Sequence, residues 1–304
     1  MNTAALLAVA MVLDAMLGEP KWLWSRAPHP VVIMGRAVDW LDRHLNTGNH
    51  LRLRGAVAVA ALVAAAWLTA RLIAAIPGAP VIETLLAAAI LAHRSLVDHL
   101  RDVASALRIS LDHGRRAVAH IVGRDTAQLD QPAIARAAIE SAAENLSDGL
   151  IAPAFWFLIL GLPGLLVYKI VNTADSMIGY KTPRHADFGL VAARLDDALN
   201  LIPARLTALL ITIVHLRTDA WPIILRDAPL HRSPNAGWPE AAMAVCLNVS
   251  LAGPRTYAGQ HQDFPLVHPE GRQNPDAADI DAAATALWRT WALALGMVML
   301  LAVV

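Results

Sequence analysis

Six apolar stretches dominate this chain, at about 3–17, 55–76, 81–97, 150–171, 199–216 and 285–304. A helix needs roughly 20 apolar residues to cross the hydrocarbon core of a bilayer, and 55–76, 150–171 and 285–304 have that length. The three shorter stretches are tilted, re-entrant, or packed against other helices inside protein, because backbone exposed to lipid must satisfy its own polar groups. The apolar residues are mostly Ala, Leu and Val, and the excess favours helix. The expectation is therefore an all-α polytopic integral membrane protein. Helical and loop sections between its hydrophobic helices face the cytoplasm, and residues 1–304 form one membrane domain.

Composition agrees. Charged residues are 16% of the chain, against roughly 25% in ordinary soluble domains. The 25 basic and 25 acidic residues cancel, so there is no electrostatic case for nucleic acid. The single cysteine, Cys246, excludes an intrachain disulfide and reads as a packing residue. Met1 to Leu17 carries Asp14, lacks a basic leader and is followed by no small-residue cleavage site, so it reads as a retained helix.

Two polar sections are rich in cations. Residues 19–54 hold Lys21, Arg26, Arg36, Arg43, Arg52 and Arg54, and residues 98–149 hold Arg101, Arg108, Arg115, Arg116, Arg124 and Arg136. The positive-inside rule puts both in the cytoplasm, beside an inner (plasma) membrane. Ile76 to Pro80 is a tight turn, predicting an antiparallel hairpin of 55–76 and 81–97. Gly161-Leu162-Pro163-Gly164 breaks or kinks the fourth stretch. Residues 258–281 read as a long irregular loop or a disordered linker.

The polar residues near the apolar stretches are ordered. Glu140, Glu144 and Asp148 are spaced four apart and share a helical face, where like charges repel unless cations sit among them. Four places resemble proline-started helix N-termini with polar residues upstream: His29 before Pro30, Asp148 before Pro153, Asp196-Asp197 and Asn200 before Pro203, and Asn235 before Pro239. Free N–H groups at such ends attract phosphate, and adjacent carboxylates suggest a bridging divalent cation. Asn172, Asp175, Ser176 and Gly179 share a further face, with Lys169, Lys181, Arg184, Arg194 and Arg205 as nearby cations. No P-loop, no G-x-G-x-x-G, no G-x-S-x-G elbow and no paired zinc spacing occurs. His93, His99, His113 and His120 read as interfacial residues.

Seven strings then carry a resemblance. They are Leu13 to Pro20 with His29 to Gly35, Glu140 to Gly149, Tyr168 to Tyr180, Phe188-Gly189, Ala193 to Asp197, Asn200 to Leu206, and Ser233 to Ala244. In order and spacing they resemble the cobalamin-biosynthesis CobD/CbiB family of membrane-bound adenosylcobinamide-phosphate synthases, over about residues 13–257. The resemblance weakens in 258–281. It implies ATP-dependent amide formation between a propionate carboxylate of adenosylcobyric acid and aminopropanol or its phosphate ester. ATP is the co-substrate and Mg²⁺ the cofactor.

The expected site follows. Glu140, Glu144, Asp148, Asp196 and Asp197 form a Mg²⁺–ATP site, with Asp148, Asp196 and Asp197 as metal ligands and Asp175 as a further catalytic acid. Adjacent residues point about 100° apart on a helix, so one of Asp196 and Asp197 takes the metal while the other pairs with Arg194. Arg194 and Arg205 serve the phosphates. His29, Asn145, Lys169, Asn172, Ser176, Ser233 and Asn235 touch substrate. The competing readings are a transporter or scaffold for corrinoid intermediates, and a regulator that binds nucleotide without turnover. The lipid bilayer is a partner in every reading, and a homo-oligomer stays open.

Overall fold

The computed structural model describes residues 2–257 and 260–303. The chain divides into two compact units, residues 1–92, 148–200 and 297–304 in one and 93–147 with 201–296 in the other. Neither unit is a continuous stretch of sequence, so no linker or change in composition marks the division.

The first unit begins with α1 (Thr3–Leu17), α2 (Lys21–Trp24), α3 (Pro30–Leu45), α4 (Leu51–Ala74) and α5 (Ala79–Ile90). The second takes α6 (His93–Ile109), α7 (Leu111–Val118) and α8 (Gln131–Leu146). A π-helical turn, Ser147–Ile151, leads to α9 (Ala152–Ile178), and α10 (Leu190–Val214) changes unit after Asn200. The second unit continues with α11 (Trp221–Asp227), α12 (Gly237–Leu247) and four short strands: β1 (Leu251–Ala252), β2 (Arg255–Tyr257), β3 (Gln260–Gln262) and β4 (Leu266–Val267). The chain ends in α13 (Ala277–Val303).

Five helical stretches are long and apolar enough to cross a membrane: Leu51–Ala74, Ala79–Ile109, Gln131–Ile178, Leu190–Val214 and Ala277–Val303. Thr3–Leu17 is apolar but shorter. The protein is an all-α membrane protein, as its apolar stretches require.

In the first unit α4 packs on α9, and Ala58, Val59 and Leu62 meet Ile170, Val171 and Ala174, with Val38 from α3 and Phe188 from the loop after α9. Gly55 admits this approach, since a Cβ there would lie 1.9 Å from the Phe188 carbonyl oxygen. The loop is tied down by Arg184 to Asp42 at 2.6 Å and by Arg52 to Asp187 at 2.8 Å. The α4–α5 hairpin forms as expected, turning at Gly78 with φ 84°. The stretch 81–97 is interrupted, however. Leu91 is extended, and the Ala92 N–H donates to the Gly149 carbonyl at 3.1 Å.

Two expected helix starts are absent. Residues 148–153 lie in an uninterrupted helical path whose π-turn takes an extra residue per ring, so Pro153 starts nothing new. Pro203 lies inside α10. A proline there frees the carbonyl four residues back, and the Leu199 carbonyl accepts the Trp156 indole N–H at 3.1 Å instead. The other two starts are real, with His29 capping α3 and α12 beginning at Gly237. At 161–164 the break is sharp: Gly161 sits inside α9 at φ 66° and ψ −153°, a conformation open to glycine.

In the second unit α6 is amphipathic and buries Val97, Leu100, Val103, Ala104 and Leu107. His93 is not interfacial. It is fully buried, with ring centroids 4.5 Å from Trp288 and 5.8 Å from Trp291. Residues 260–281 are irregular only in part: β3 pairs with β2, β4 with β1, and α13 is under way by Ala277, while 263–265 and 268–276 lie outside helix and strand. Residues 258–259 lie outside the described residues. Arg136 fastens this region by donating to the carbonyls of Ser250 at 3.2 Å and Gln273 at 2.9 Å.

Replacing Gly55 by Ala forces backbone apart at Phe188 and is expected to cost about 1–3 kcal/mol, the range of overpacked cores. Gly296→Ala, with nothing within 4 Å of the new Cβ, is expected to leave stability unchanged or raised by about 1 kcal/mol. Thermal unfolding of both variants in detergent checks the pair, and equal behaviour would contradict the packing described.

Candidate functional site

The first unit buries Asp196, which is 8% exposed. The side-chain amide of Asn172 lies 3.4 Å from Oδ1, and that of Asn200 donates to Oδ2 at 3.0 Å. Spacing explains the second contact, because Asp196 and Asn200 lie one turn apart on α10. The Tyr168 hydroxyl in turn donates to Asn200 Oδ1 at 3.0 Å. With its oxygen facing that donor, the Asn200 amide presents its NH₂ to Asp196. Lys169 Nζ lies 3.4 Å from Asn172 Oδ1, in the field of Asp148, Asp196 and Glu19. Asp196 is thus held by neutral amides.

Asp197 diverges from its neighbour as helix geometry requires. Its side chain is 32% exposed and stands 4.0 Å from the guanidinium of Arg194, itself 78% exposed. Ser176 Oγ donates to the Asn172 carbonyl at 2.9 Å, and the Asp175 carbonyl accepts the Gly179 N–H at 2.7 Å. His29 accepts the Val31 N–H on Nδ1 at 3.2 Å, and burial lowers its pKa.

The second unit holds the other expected residues. Glu140 is 4% exposed and fully engaged: Arg124 at 2.7 Å, Arg255 at 3.3 Å and the Ala252 N–H at 2.7 Å. The cations that its helical face requires are arginines. Glu144 and Asn145 are exposed, and Asn145 turns back to the Ser141 carbonyl at 2.8 Å. Arg205 reaches Asn235 Oδ1 at 3.3 Å and lies 4.4 Å over the Trp238 ring. Ser233 Oγ accepts the N–H groups of Asn235 and Ala236 at the start of α12. Cys246 packs, its thiol pushed up to about 12 by burial. Among the described residues no three His, Cys, Asp or Glu side chains converge as a metal site.

So the structure gathers Asp148, Lys169, Asn172, Asp196 and Asp197 in the first unit, and Glu140, Glu144, Arg205, Ser233 and Asn235 in the second. Sequence reasoning did not predict the contacts that link Tyr168, Asn200 and Asp196, although the i, i+4 spacing of Asp196 and Asn200 was available. It also missed the contacts of Arg124 and Arg255 to Glu140, the latter 115 residues away with no local signal.

Removing one partner of a buried ion pair strands the other charge. Arg124→Ala is expected to destabilise the protein by on the order of 3 kcal/mol, the low end for such pairs because Arg255 and Ala252 remain. Adding Glu140→Gln should recover most of that loss. Denaturation of the single and double variants measures it, and an Arg124→Ala protein as stable as the parent would contradict the assignment.

The CobD/Cbib protein family matches residues 7–287. A cobalamin biosynthesis protein CobD from a Sinorhizobium sp is 47% identical, covering 98% of each chain. The protein of that name from Rhizobium meliloti (strain 1021) is 48% identical over 93% of this chain and 92% of its own. The one from Rhodobacter capsulatus is 45% identical, over 95% and 94%. No solved structure matches. On a family match that runs through α1 to α13 and takes in both clusters of buried charge, the chain belongs to the CobD/Cbib family.

Proposed function

We propose that this protein is a biosynthetic enzyme of cobalamin formation, an ATP-dependent acid–amine ligase. It joins a propionate carboxylate of adenosylcobyric acid to aminopropanol or its phosphate ester. Family membership and the names of the relatives support the pathway. The single structural observation that carries the chemistry is Asp196, buried in the first unit with Asn172, Asn200 and the field of Lys169 around it.

A carboxylate is a poor electrophile at neutral pH, and phosphorylation turns it into an acyl phosphate that an amine attacks. Such transfers are mostly positioning plus charge neutralisation. Asp148, Asp196 and Asp197 offer hard oxygen donors of the kind magnesium takes, usually one or two carboxylates with substrate phosphates completing the shell. Glu140 is spent on Arg124 and Arg255, so the metal falls to the first-unit acids. Bound there, Mg²⁺–ATP supplies the phosphoryl group. Asn172 and Asn200 hold the Asp196 carboxylate in one orientation, and Lys169 and Arg194 offer positive charge to phosphate oxygens. Arg205, fixed by Asn235 and Trp238, is a further anion ligand in the second unit.

The Gly161 break in α9 favours a second reading, since transporters build substrate sites from interrupted helices. ATP consumption by the purified, detergent-solubilised protein separates the two. It should depend on cobyric acid in the ligase and be absent in a transporter or scaffold. Asp148→Asn and Asp196→Asn are expected to lower kcat on the order of 100-fold at normal protein yield, the scale of one lost transition-state contact. A fall in kcat larger than any rise in KM is the pattern for a contact made in the transition state. Near-normal specific activity in both variants across a Mg²⁺ titration would sink the site.

ATP is cytoplasmic, so in this reading the enzyme lies in the inner membrane with its site towards the cytoplasm. Cysteines placed at positions 40 and 115 should resist a periplasmic thiol reagent. Labelling of both would reverse the orientation.

A further inference from the structure

The first turn of α12 contains a carboxyl group without the partner that its burial demands. The Glu240 side chain is 3% exposed, its Oε2 has no hydrogen-bond partner, and its Oε1 lies 3.6 Å from His231 Nε2, beyond hydrogen-bond length. Capping does not explain it, because the start of α12 carries no side-chain cap hydrogen bond. Leaving such an atom unsatisfied is costly, and the exceptions in folded proteins mark catalytic groups or absent ligands.

The charges around Glu240 say what the absent partner is. On α8 stand Glu140 and Glu144; Arg124 precedes that helix, Arg255 lies on β2, and His231 precedes α12. Arg124 and Arg255 are spent on Glu140, and Arg136 on the carbonyls of Ser250 and Gln273. His231 accepts the Ser233 N–H on Nδ1 at 3.0 Å, and burial lowers its pKa to about 4, so it is neutral. Burial, with Glu140 and Glu144 beside it, holds the Glu240 carboxyl well above the usual carboxylate range. An anion is excluded by these two acids. A cation that brings its own hydrogen-bond donors fits.

We propose that Glu240, backed by Glu144, is the binding subsite for a primary ammonium group. An ammonium carries three donors and no acceptor, which suits an orphaned carboxylate oxygen. Protons balance as follows: the neutral carboxyl gives its proton to solvent, and the carboxylate left behind pairs with R–NH₃⁺. Only the identity of the amine, an amino alcohol, rests on the ligase reading; the subsite rests on the geometry.

The test is calorimetric titration of the full-length detergent-solubilised protein with aminopropanol, without ATP or corrinoid, in two buffers of different ionisation enthalpy. Saturable binding is expected, with a buffer-dependent heat corresponding to close to one proton released per amine bound. Propane-1,2-diol, which lacks the amine, should not bind. E240Q should abolish the proton release and weaken binding on the order of 10- to 100-fold, the scale of one charged hydrogen bond. Buffer-independent heat in the parent protein, or amine binding by E240Q as tight as the parent's, overturns the proposal. If E240Q does not fold, the parent's buffer dependence decides together with E144Q, whose exposed side chain tolerates replacement and whose amine affinity should fall. Failure of the ligase reading is separate: it appears as no corrinoid-dependent ATP consumption while amine binding with proton release persists.

Discussion

Taking a charge out of water costs several kcal/mol unless a partner within the fold returns the interaction, and the two clusters of buried acid in this protein answer that cost differently. Glu140 is met by two guanidinium groups and a backbone N–H. Its charge is neutralised, and the group serves as a clamp between a helix, a loop and the β1 strand. Asp196 is met by two side-chain amides. Amides satisfy lone pairs without supplying an opposite charge. Two carboxyl groups buried to a similar degree thus differ in what donates to them, guanidinium groups in one unit and amides in the other.

The helices themselves depend on the same accounting for uncharged groups. Pro203 leaves the Leu199 carbonyl without its helical donor, and the indole of Trp156 fills the gap. The helix α10 therefore continues, and Asp196, Asp197 and Asn200 stay on one rigid element instead of flanking a helix end. At Gly161 the opposite happens: the backbone enters a left-handed conformation and α9 breaks. Proline and glycine in an apolar run thus have no fixed meaning, and the outcome rests on whether a donor is within reach.

That is why some of this structure was legible in the sequence and some was not. Apolar runs are local, so α1, α4, α9, α10 and α13 lie where the hydrophobic stretches put them, within several residues. The helix cap at His29 and the start of α12 were legible from a short polar–proline pattern. The same pattern failed at Asp148 and at Asp196, where a π-turn and a residue 43 positions away from Leu199 decide the matter. Two- and three-residue strands have no periodicity, so 260–267 read as loop. Within the site, Lys169, Asn172 and Asp196 were found because they lie near one another along helical segments. The Glu140–Arg255 pair was not, because nothing near either residue announces the other.

The orphan at Glu240 completes the contrast between the units. A reaction that activates an acid with a nucleotide and then receives an amine handles charge of both signs. Phosphate oxygens call for cations and metal, while an incoming ammonium calls for a carboxylate with no cation of its own. In the ligase reading, the first unit's three aspartates, lysine and oriented amides take the metal-bound phosphate. The second holds Glu240 where every neighbouring guanidinium is already engaged, so the field there is left to its acids. In the ligase reading, the arginines around Glu140 then have a second consequence beyond stability. By neutralising Glu140 and being consumed in doing so, they leave Glu240 as the one buried carboxyl of that cluster whose missing partner a substrate cation can supply.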